Sequence, residues 1–497
     1  MKNTLAFIIA LLFTTSCYQG IIYDKQDTPT GSINDSQEAA AGKINDAQGT
    51  DTENVNNEQG MTYTDGFVQD AQGSSVKRKW TFIIYMAADN DLEAAAIADL
   101  NELEAVSYGA APISILVLLD RHNDYDMTNG NWSDTRLFEI KPDPNGLTST
   151  IRSSRIDCLE LGLSKNSETE LNMSDPLVLS RLIDFAKRVY PAEHYALFIW
   201  GHGTGWRGGI NNNYLPEPAK AVAFDDTSRQ YMSLPSFGRA VAGKGLSVIA
   251  FDTCFGALLE VAYQVRNSAE LFVGSEGEIM STGWDYSALF TGFLSKENLL
   301  ISDLGDAIQN QFSKQYASVN KATISQIQLS RVNDLFLSFN NFSGVVAKAI
   351  TTVPAKTVVL NQILNSVESY FFISFPSDMY IDIFDFTKKI SAIKESITSN
   401  TDQQNAISDA AEKLEAALAS AVPSSWARNG TTKKIGVHAF PLQGVAVPAA
   451  RHESAYIRGS MTIDKSAFVE DSEHWVPNFN PKSDSLLDKL LYWNYTL

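Results

Sequence analysis

Apolar residues along this chain gather into short unbroken runs, separated by stretches whose apolar positions recur at helical spacing. Six runs read as strands, at 80–86, 113–120, 135–140, 195–200, 246–251 and 271–273. They are continuous rather than alternating, which is the signature of strands buried on both faces. Helical spacing over 91–107, 175–189, 234–242 and 255–265 fills most of the gaps. Asp91 stands where it can cap the first of these helices. Ser174-Asp175-Pro176 sets a capping residue beside a proline suited to a first turn. Strands alternating with helices predict an α/β fold, with a mainly parallel sheet covered on both faces. The runs at 113–120 and 135–140 are joined too briefly for a helical crossover, so one antiparallel excursion is expected there.

The pattern changes near residue 300. Helices are expected at 302–316, 333–350 and 402–421, and a β-like run at 434–440 stops at Pro441. Residues 301–497 therefore read as a helix-rich C-terminal region, with no constellation assignable to chemistry. Residues 80–300 form the expected α/β domain. At the other end, Lys2 precedes an apolar run at 5–13 and then Thr14-Thr15-Ser16-Cys17. The run is too short to span a bilayer and has the length of a signal-peptide core. The small residues closing on Cys17 resemble a bacterial lipoprotein cleavage box, so residues 1–17 are expected to be a signal peptide with Cys17 lipidated. Ordinary secretion is the alternative. Residues 18–79 read as a disordered acidic tether: between 24 and 76 there are ten acidic and two basic residues. The chain is thus expected in a bacterial cell envelope, exported and held to a membrane by its lipid.

Composition narrows the chemistry. A net charge of −19 over 497 residues argues against nucleic acid as a partner. Three cysteines, Cys17, Cys158 and Cys254, make no disulfide framework and too few ligands for a thiolate zinc site, and no histidine pair has ligand spacing. No metal site is therefore expected.

What remains is two strand ends. One apolar run closes on Trp200-Gly201-His202-Gly203 and another on Phe251-Asp252-Thr253-Cys254. In open α/β sheets, functional groups collect beyond the carboxyl ends of strands. A histidine and a cysteine delivered there make a base and a nucleophile if the strands are neighbours. The cysteine follows the histidine by about 50 residues, the caspase spacing. The amides of Gly203 and Cys254 are candidate oxyanion donors. A helix starting at Phe255 would aim its positive end at the thiol. Asp252 shares a strand face with Cys254 and can receive a cationic substrate side chain. Each residue also has a bland reading: a core cysteine, a turn histidine, a helix-capping aspartate, and packing roles for Trp200 and Trp206. Cys158 has no such context and reads as inert. From the residues alone, both readings stand.

Ordered blocks decide between them. Tyr85-Met86-Ala87-Ala88-Asp89-Asn90-Asp91-Leu92-Glu93, Trp132-Ser133-Asp134-Thr135-Arg136, Glu170 through Pro176, Trp200 through Trp206, Phe251 through Cys254 and Gly283-Trp284-Asp285-Tyr286 occur in sequence. Together they resemble the clostripain family of cysteine peptidases, relatives of caspases, gingipains and legumain. A fainter likeness at Gly436 through Pro441 follows. The resemblance implies a caspase-like α/β/α sandwich with His202 as base and Cys254 as nucleophile. It implies hydrolysis after Arg or Lys, with Asp252, and less directly Asp285, in the pocket for that side chain. The chemistry itself requires no cofactor; some members require calcium, and no calcium loop is visible here. Clipping between His and Cys is also implied, with Arg207 or Lys220 as the points. Phe255-Gly256 departs from the Leu-Met-like pair expected after the cysteine, which leaves the pocket wall open. The alternatives are a caspase-like peptidase with non-basic specificity, or a surface lipoprotein that keeps the fold only for binding.

Overall fold

A computed structural model describes most residues between 75 and 428 together with 67–69 and 435–439; 110, 206–220 and parts of 353–374 are among those outside it. Cys17 and the clipping candidates Arg207 and Lys220 lie outside the described residues. Within the expected tether, β1 (Phe67–Gln69) and β2 (Ser75–Lys77) pair as a small antiparallel hairpin.

The central sheet begins with β3 (Trp80–Ala88), every residue of which is buried. Helix α1 (Glu93–Glu104) leads to β4 (Ile113–Arg121), parallel to β3. The expected antiparallel excursion is present: β5 (Arg136–Glu139) pairs antiparallel with β4, and β6 (Ser154–Arg155) with β5. Helix α2 (Pro176–Val189) starts where the sequence placed it, with Asp175 accepting from the Leu177 amide. It feeds β7 (His194–Trp200), which lies parallel to β3 on its other side. A hairpin of β8 (Ala221–Asp225) and β9 (Gln230–Ser233), and helix α3 (Leu234–Val241), precede β10 (Val248–Asp252). Strand β10 is parallel to β7, and β11 (Leu271–Gly274) to β10. Between them runs the short helix α4 (Leu259–Gln264).

Helices α5 (Tyr286–Leu294) and α6 (Ile301–Gln315) follow. The sheet then continues across residue 300. Strand β12 (Thr323–Gln328) pairs antiparallel with β11, and after the long helix α7 (Val332–Ala349) the chain forms a small sheet of β13 (Tyr370–Phe372) and β14 (Phe375–Asp382). Helices α8 (Ile383–Ala392), α9 (Lys394–Ile397) and α10 (Thr401–Ala421) lead to β15 (Ser424–Ala427), which returns to β12. Strand β16 (Gly436–Ala439) completes the small sheet against β14. The nine-stranded order is β15-β12-β11-β10-β7-β3-β4-β5-β6. It is a mixed sheet whose five central strands, β11, β10, β7, β3 and β4, are parallel as expected, with antiparallel strands at both edges, helices packed upon it and a helix-rich C-terminal part. No helix among the described residues is long and apolar enough to cross a membrane.

Aromatic side chains hold one face of the sheet. Phe198, in the middle of β7, is fully buried against the rings of Phe82, Trp284, Tyr286 and Phe290. Truncating such a ring forfeits its burial and leaves a cavity. Phe198→Ala is expected to lower the unfolding free energy by about 3–5 kcal/mol, measured by denaturant titration. A loss below about 1 kcal/mol would show that the core closes over the gap.

Candidate active site

Sheet order does the positioning. Strands β10, β7 and β3 are consecutive neighbours, all parallel, so their carboxyl ends open on the same side. Asp252 is in register with Trp200. His202 and Cys254 each lie two residues beyond that pair, so they leave adjacent strands at the same level. The close approach depends on Gly203. A Cβ there would stand 2.6 Å from the Cys254 carbonyl oxygen and 2.7 Å from Thr253 Cβ, closer than real side chains come. The glycine after the histidine is thus required by packing between the two strand ends. Gly203 also bridges to Val222 of β8.

His202 is buried, its ring edge-on to Phe224 at 6.0 Å. Its Nε2 lies 2.6 Å from Asp91 Oδ1. Asp91 does not cap α1: the capping position is Leu92, and Asn90 Oδ1 receives the Leu92 amide. The Asp91 carboxylate turns to the imidazole instead, from the end of the strand beside β7. A carboxylate on Nε2 holds the hydrogen there and leaves Nδ1 as the nitrogen that can exchange a proton. Sequence reasoning placed Asp91 in the right turn and missed this role. The signal was its position just past a strand adjoining that of the histidine.

Cys254 is buried, and the Ile279 amide lies 3.3 Å from its Sγ. The segment after it is not a helix. Phe255 has φ +56°, its amide donates to the Gly277 carbonyl, and the Ala257 amide donates to that of Ser275. These bonds hold 255–258 against 275–277, and α4 begins only at Leu259. The helix that follows therefore does not start at the sulfur. The donor at that place is the Ile279 amide. Phe255 packs its ring 5.2 Å from that of Tyr380, and the Tyr380 hydroxyl donates to the Thr204 carbonyl. A C-terminal residue thereby braces the segments that follow both His202 and Cys254. Cys158 is buried elsewhere, and burial pushes its thiol up to about 12, in keeping with the inert reading.

A pocket beside the sulfur is lined by Cys254, Asp252, Trp200, Gly201, Leu92 and Gly283, among others. Asp252 Oδ2 accepts from the Trp284 amide at 3.0 Å and the Tyr286 hydroxyl at 3.1 Å, while its buried Oδ1 has no hydrogen-bond partner. It therefore does not cap the following segment. Burial raises its carboxyl to about 7. Asp99 stands close by, its Oδ2 2.6 Å from the Trp200 indole nitrogen, and burial holds its carboxyl well above the usual range. Gly283 separates them: at φ +59° a Cβ would come within 2.9 Å of both carboxylates. Burial also lifts Glu102 to about 7. Asp285 is not on this lining. Its Oδ1 accepts from the Ala288 amide and caps α5, a helix-starting role the sequence reading did not give it.

A cysteine sulfur, an imidazole beside a carboxylate, and a pocket lined by a carboxylate are groups of the kind that acyl transfer uses. The model of the clostripain family matches residues 84–462. Clostripain of Hathewaya histolytica is 28% identical over 242 residues, covering 45% of this chain and 44% of that protein, so the chain spans less than half the length of this curated relative. An inactive zymogen of a C11 protease from Parabacteroides distasonis superposes with a TM-score of 0.50 at 18% identity, covering 79% of this chain and 97% of the other. A secreted C11 cysteine protease from Bacteroides thetaiotaomicron, solved with an irreversible peptide inhibitor, gives 0.48 at 19% identity over 78% and 99%.

Proposed function

The chain belongs to the clostripain family, and from that premise we propose that it is an exported cysteine endopeptidase that cleaves after Arg or Lys. One observation carries the specificity: Asp252, with a buried and unpartnered oxygen, lines the same pocket as Cys254. An unpaired buried carboxylate is costly, and a guanidinium or ammonium group entering the pocket supplies its missing partner.

In the proposed reaction, His202 Nδ1 takes the Cys254 thiol proton and the sulfur attacks the carbonyl carbon after the basic residue. The oxyanion of the tetrahedral intermediate accepts from the amides of Gly203 and Cys254. The imidazolium, steadied by Asp91, returns its proton to the leaving amine. The C–N bond breaks and a thioester remains. Water, deprotonated by the same imidazole, then attacks the thioester, releasing the carboxylic acid product and restoring the thiol. Asp91 acts here as a positioning residue. Asp91→Asn is expected to lower kcat roughly 100-fold with KM little changed, because an amide no longer fixes the ring. A matching rise in KM would assign Asp91 to pocket shape instead.

Export rests on Lys2, the apolar run at 5–13 and Cys17. Lipid attachment at Cys17 would place the enzyme on a membrane, and labelling with a radioactive fatty acid in a bacterial host, lost in Cys17→Ala, tests it. The deciding experiment for activity is a peptide panel with basic, acidic, Asn and neutral residues before the cleaved bond. Cleavage after Arg and Lys alone supports the proposal. Cleavage elsewhere removes the specificity, and inertness toward every peptide overturns the enzymatic reading in favour of a binding protein.

A further inference from the structure

One wall of the pocket beside Cys254 is a single turn. The Gly283 amide donates to the Met280 carbonyl at 3.0 Å, and Met280, Ser281 and Gly283 of that turn line the pocket. The residues flanking it reach the parts proposed to react and to select. Before it, the Ile279 amide lies 3.3 Å from Cys254 Sγ; after it, the Trp284 amide donates to Asp252 Oδ2. A shift of the turn therefore moves a donor at the sulfur and a donor at the pocket carboxylate together. Ser281 and Thr282 are exposed, and Gly283 stands at φ +59°. An exposed loop holds a precise shape only where a rigid scaffold grips it.

That grip comes from beyond residue 300. Tyr316, just past α6, is fully buried, and its hydroxyl sits between the two ends of the turn. It accepts from the Met280 amide at 3.1 Å and donates to the Gly283 carbonyl at 3.0 Å. A phenol can do both at once, because its oxygen carries one hydrogen and still has lone pairs to offer. Burial pushes this phenol above its usual range, so the hydrogen stays on it at neutral pH. The ring is held in turn: it stacks on Phe312 with centroids 3.9 Å apart, and Trp426 of β15 meets Phe312 edge-on at 6.0 Å. Two glutamines of α6 add to the hold. Gln315 Nε2 donates to the Gly283 carbonyl, and Oε1 of both Gln311 and Gln315 accepts from the Asp285 amide.

Granted the basic specificity proposed above, we propose that Tyr316 is a positioning residue for it: its hydroxyl pins the turn that walls the pocket, and so fixes where a cationic side chain meets Asp252. Phenylalanine at 316 would keep the stack on Phe312 and strip the Met280 amide of its acceptor. An amide left without a partner is costly, so the turn would move to recover one and carry the Trp284 amide with it. His202 and Asp91 stand at the ends of β7 and β3, outside this turn, and keep their own contact. The loss therefore falls on binding of the basic side chain more than on proton transfer.

Two measurements on full-length Tyr316→Phe test this. Amide hydrogen exchange over 279–285 should be at least about tenfold faster than in the unsubstituted protein, with exchange over the central strands unchanged. This readout needs no peptidase activity, so it decides the clamp even where the enzymatic proposal fails. Peptide kinetics decide its role. KM for Arg and Lys peptides should rise about tenfold with kcat held within about threefold, and KM for the matching Gln peptide should stay put. Gln315→Leu, which removes one bond to Gly283 from a half-buried side chain, should give a smaller shift in the same direction and covers the case in which Tyr316→Phe does not fold. Unchanged exchange over 279–285 in both variants overturns the clamp. Faster exchange with unchanged KM for Arg and Lys peptides, or an equal loss for Gln peptides, overturns its link to specificity.

Discussion

Cys254→Ala is expected to abolish peptide hydrolysis, a loss of at least about 10⁴-fold in kcat, while the protein stays folded. The side chain is buried, yet removing one sulfur from a small residue costs only about 1 kcal/mol of packing. His202→Ala should fall nearly as far, because the imidazole moves the proton in both acylation and deacylation. The diagnostic result is the double variant. Residues acting as one unit are not additive, so Cys254→Ala with His202→Ala should be no slower than Cys254→Ala alone. Additive losses would mean that the two side chains act independently, and the proposed dyad would fall.

The second large effect concerns selectivity. Asp252→Asn is expected to reduce kcat/KM for Arg and Lys peptides by roughly 100- to 1,000-fold, the cost of leaving one member of a buried charge pair alone. Peptides with a neutral side chain at that position should change little. A uniform loss would assign Asp252 to folding. The pH dependence adds a check. Burial raises Asp252 to about 7, so the carboxylate is protonated on the acid side of that value. The ratio of kcat/KM for Arg over Gln peptides cancels ionisation of the catalytic pair. It should be level above pH 7 and fall with acidity below it. Stability runs the other way. The native state holds an extra proton between the ordinary carboxylate range and about 7, so stability declines as pH rises through that window. Asp252→Asn removes its own contribution and makes that slope shallower, since Glu102 and Asp99 are raised as well, and thermal unfolding across pH 4 to 8 would reveal the change.

Why some of this was legible in the sequence and some not follows from burial. Strands β3, β7 and β10 are buried on both faces, so they read as unbroken apolar runs, and their shared direction put His202 and Cys254 at one edge. The same uniform burial misled the reading of 255–258. Phe255 through Leu258 are buried in irregular backbone, and apolar content alone does not separate that from a helix. Strand β12 was missed for the opposite reason. Its Ser325 and Gln326 are polar yet buried, with Gln326 satisfied by Asp306 and Gln309 of α6, a tertiary compensation no local pattern records. Asp91 was visible as a turn residue, but its partner is 111 residues away. The grouping of Asp89, Asp120, Glu170 and Asp225 was illegible because these four residues come from four separate segments that only the fold assembles.

The position of β15 has a consequence for when the enzyme becomes active. Strand β12 is covered on its outer side only by β15, some hundred residues later, and Tyr380, which braces both catalytic segments, lies in the interval. A chain still emerging from the ribosome has residues 80–300 in hand but an open sheet edge and no brace. Pairings this distant in sequence are slow to form, and an open edge invites other chains until they do. Competence is therefore expected to arrive with the last strands, so a nascent chain carries no finished site.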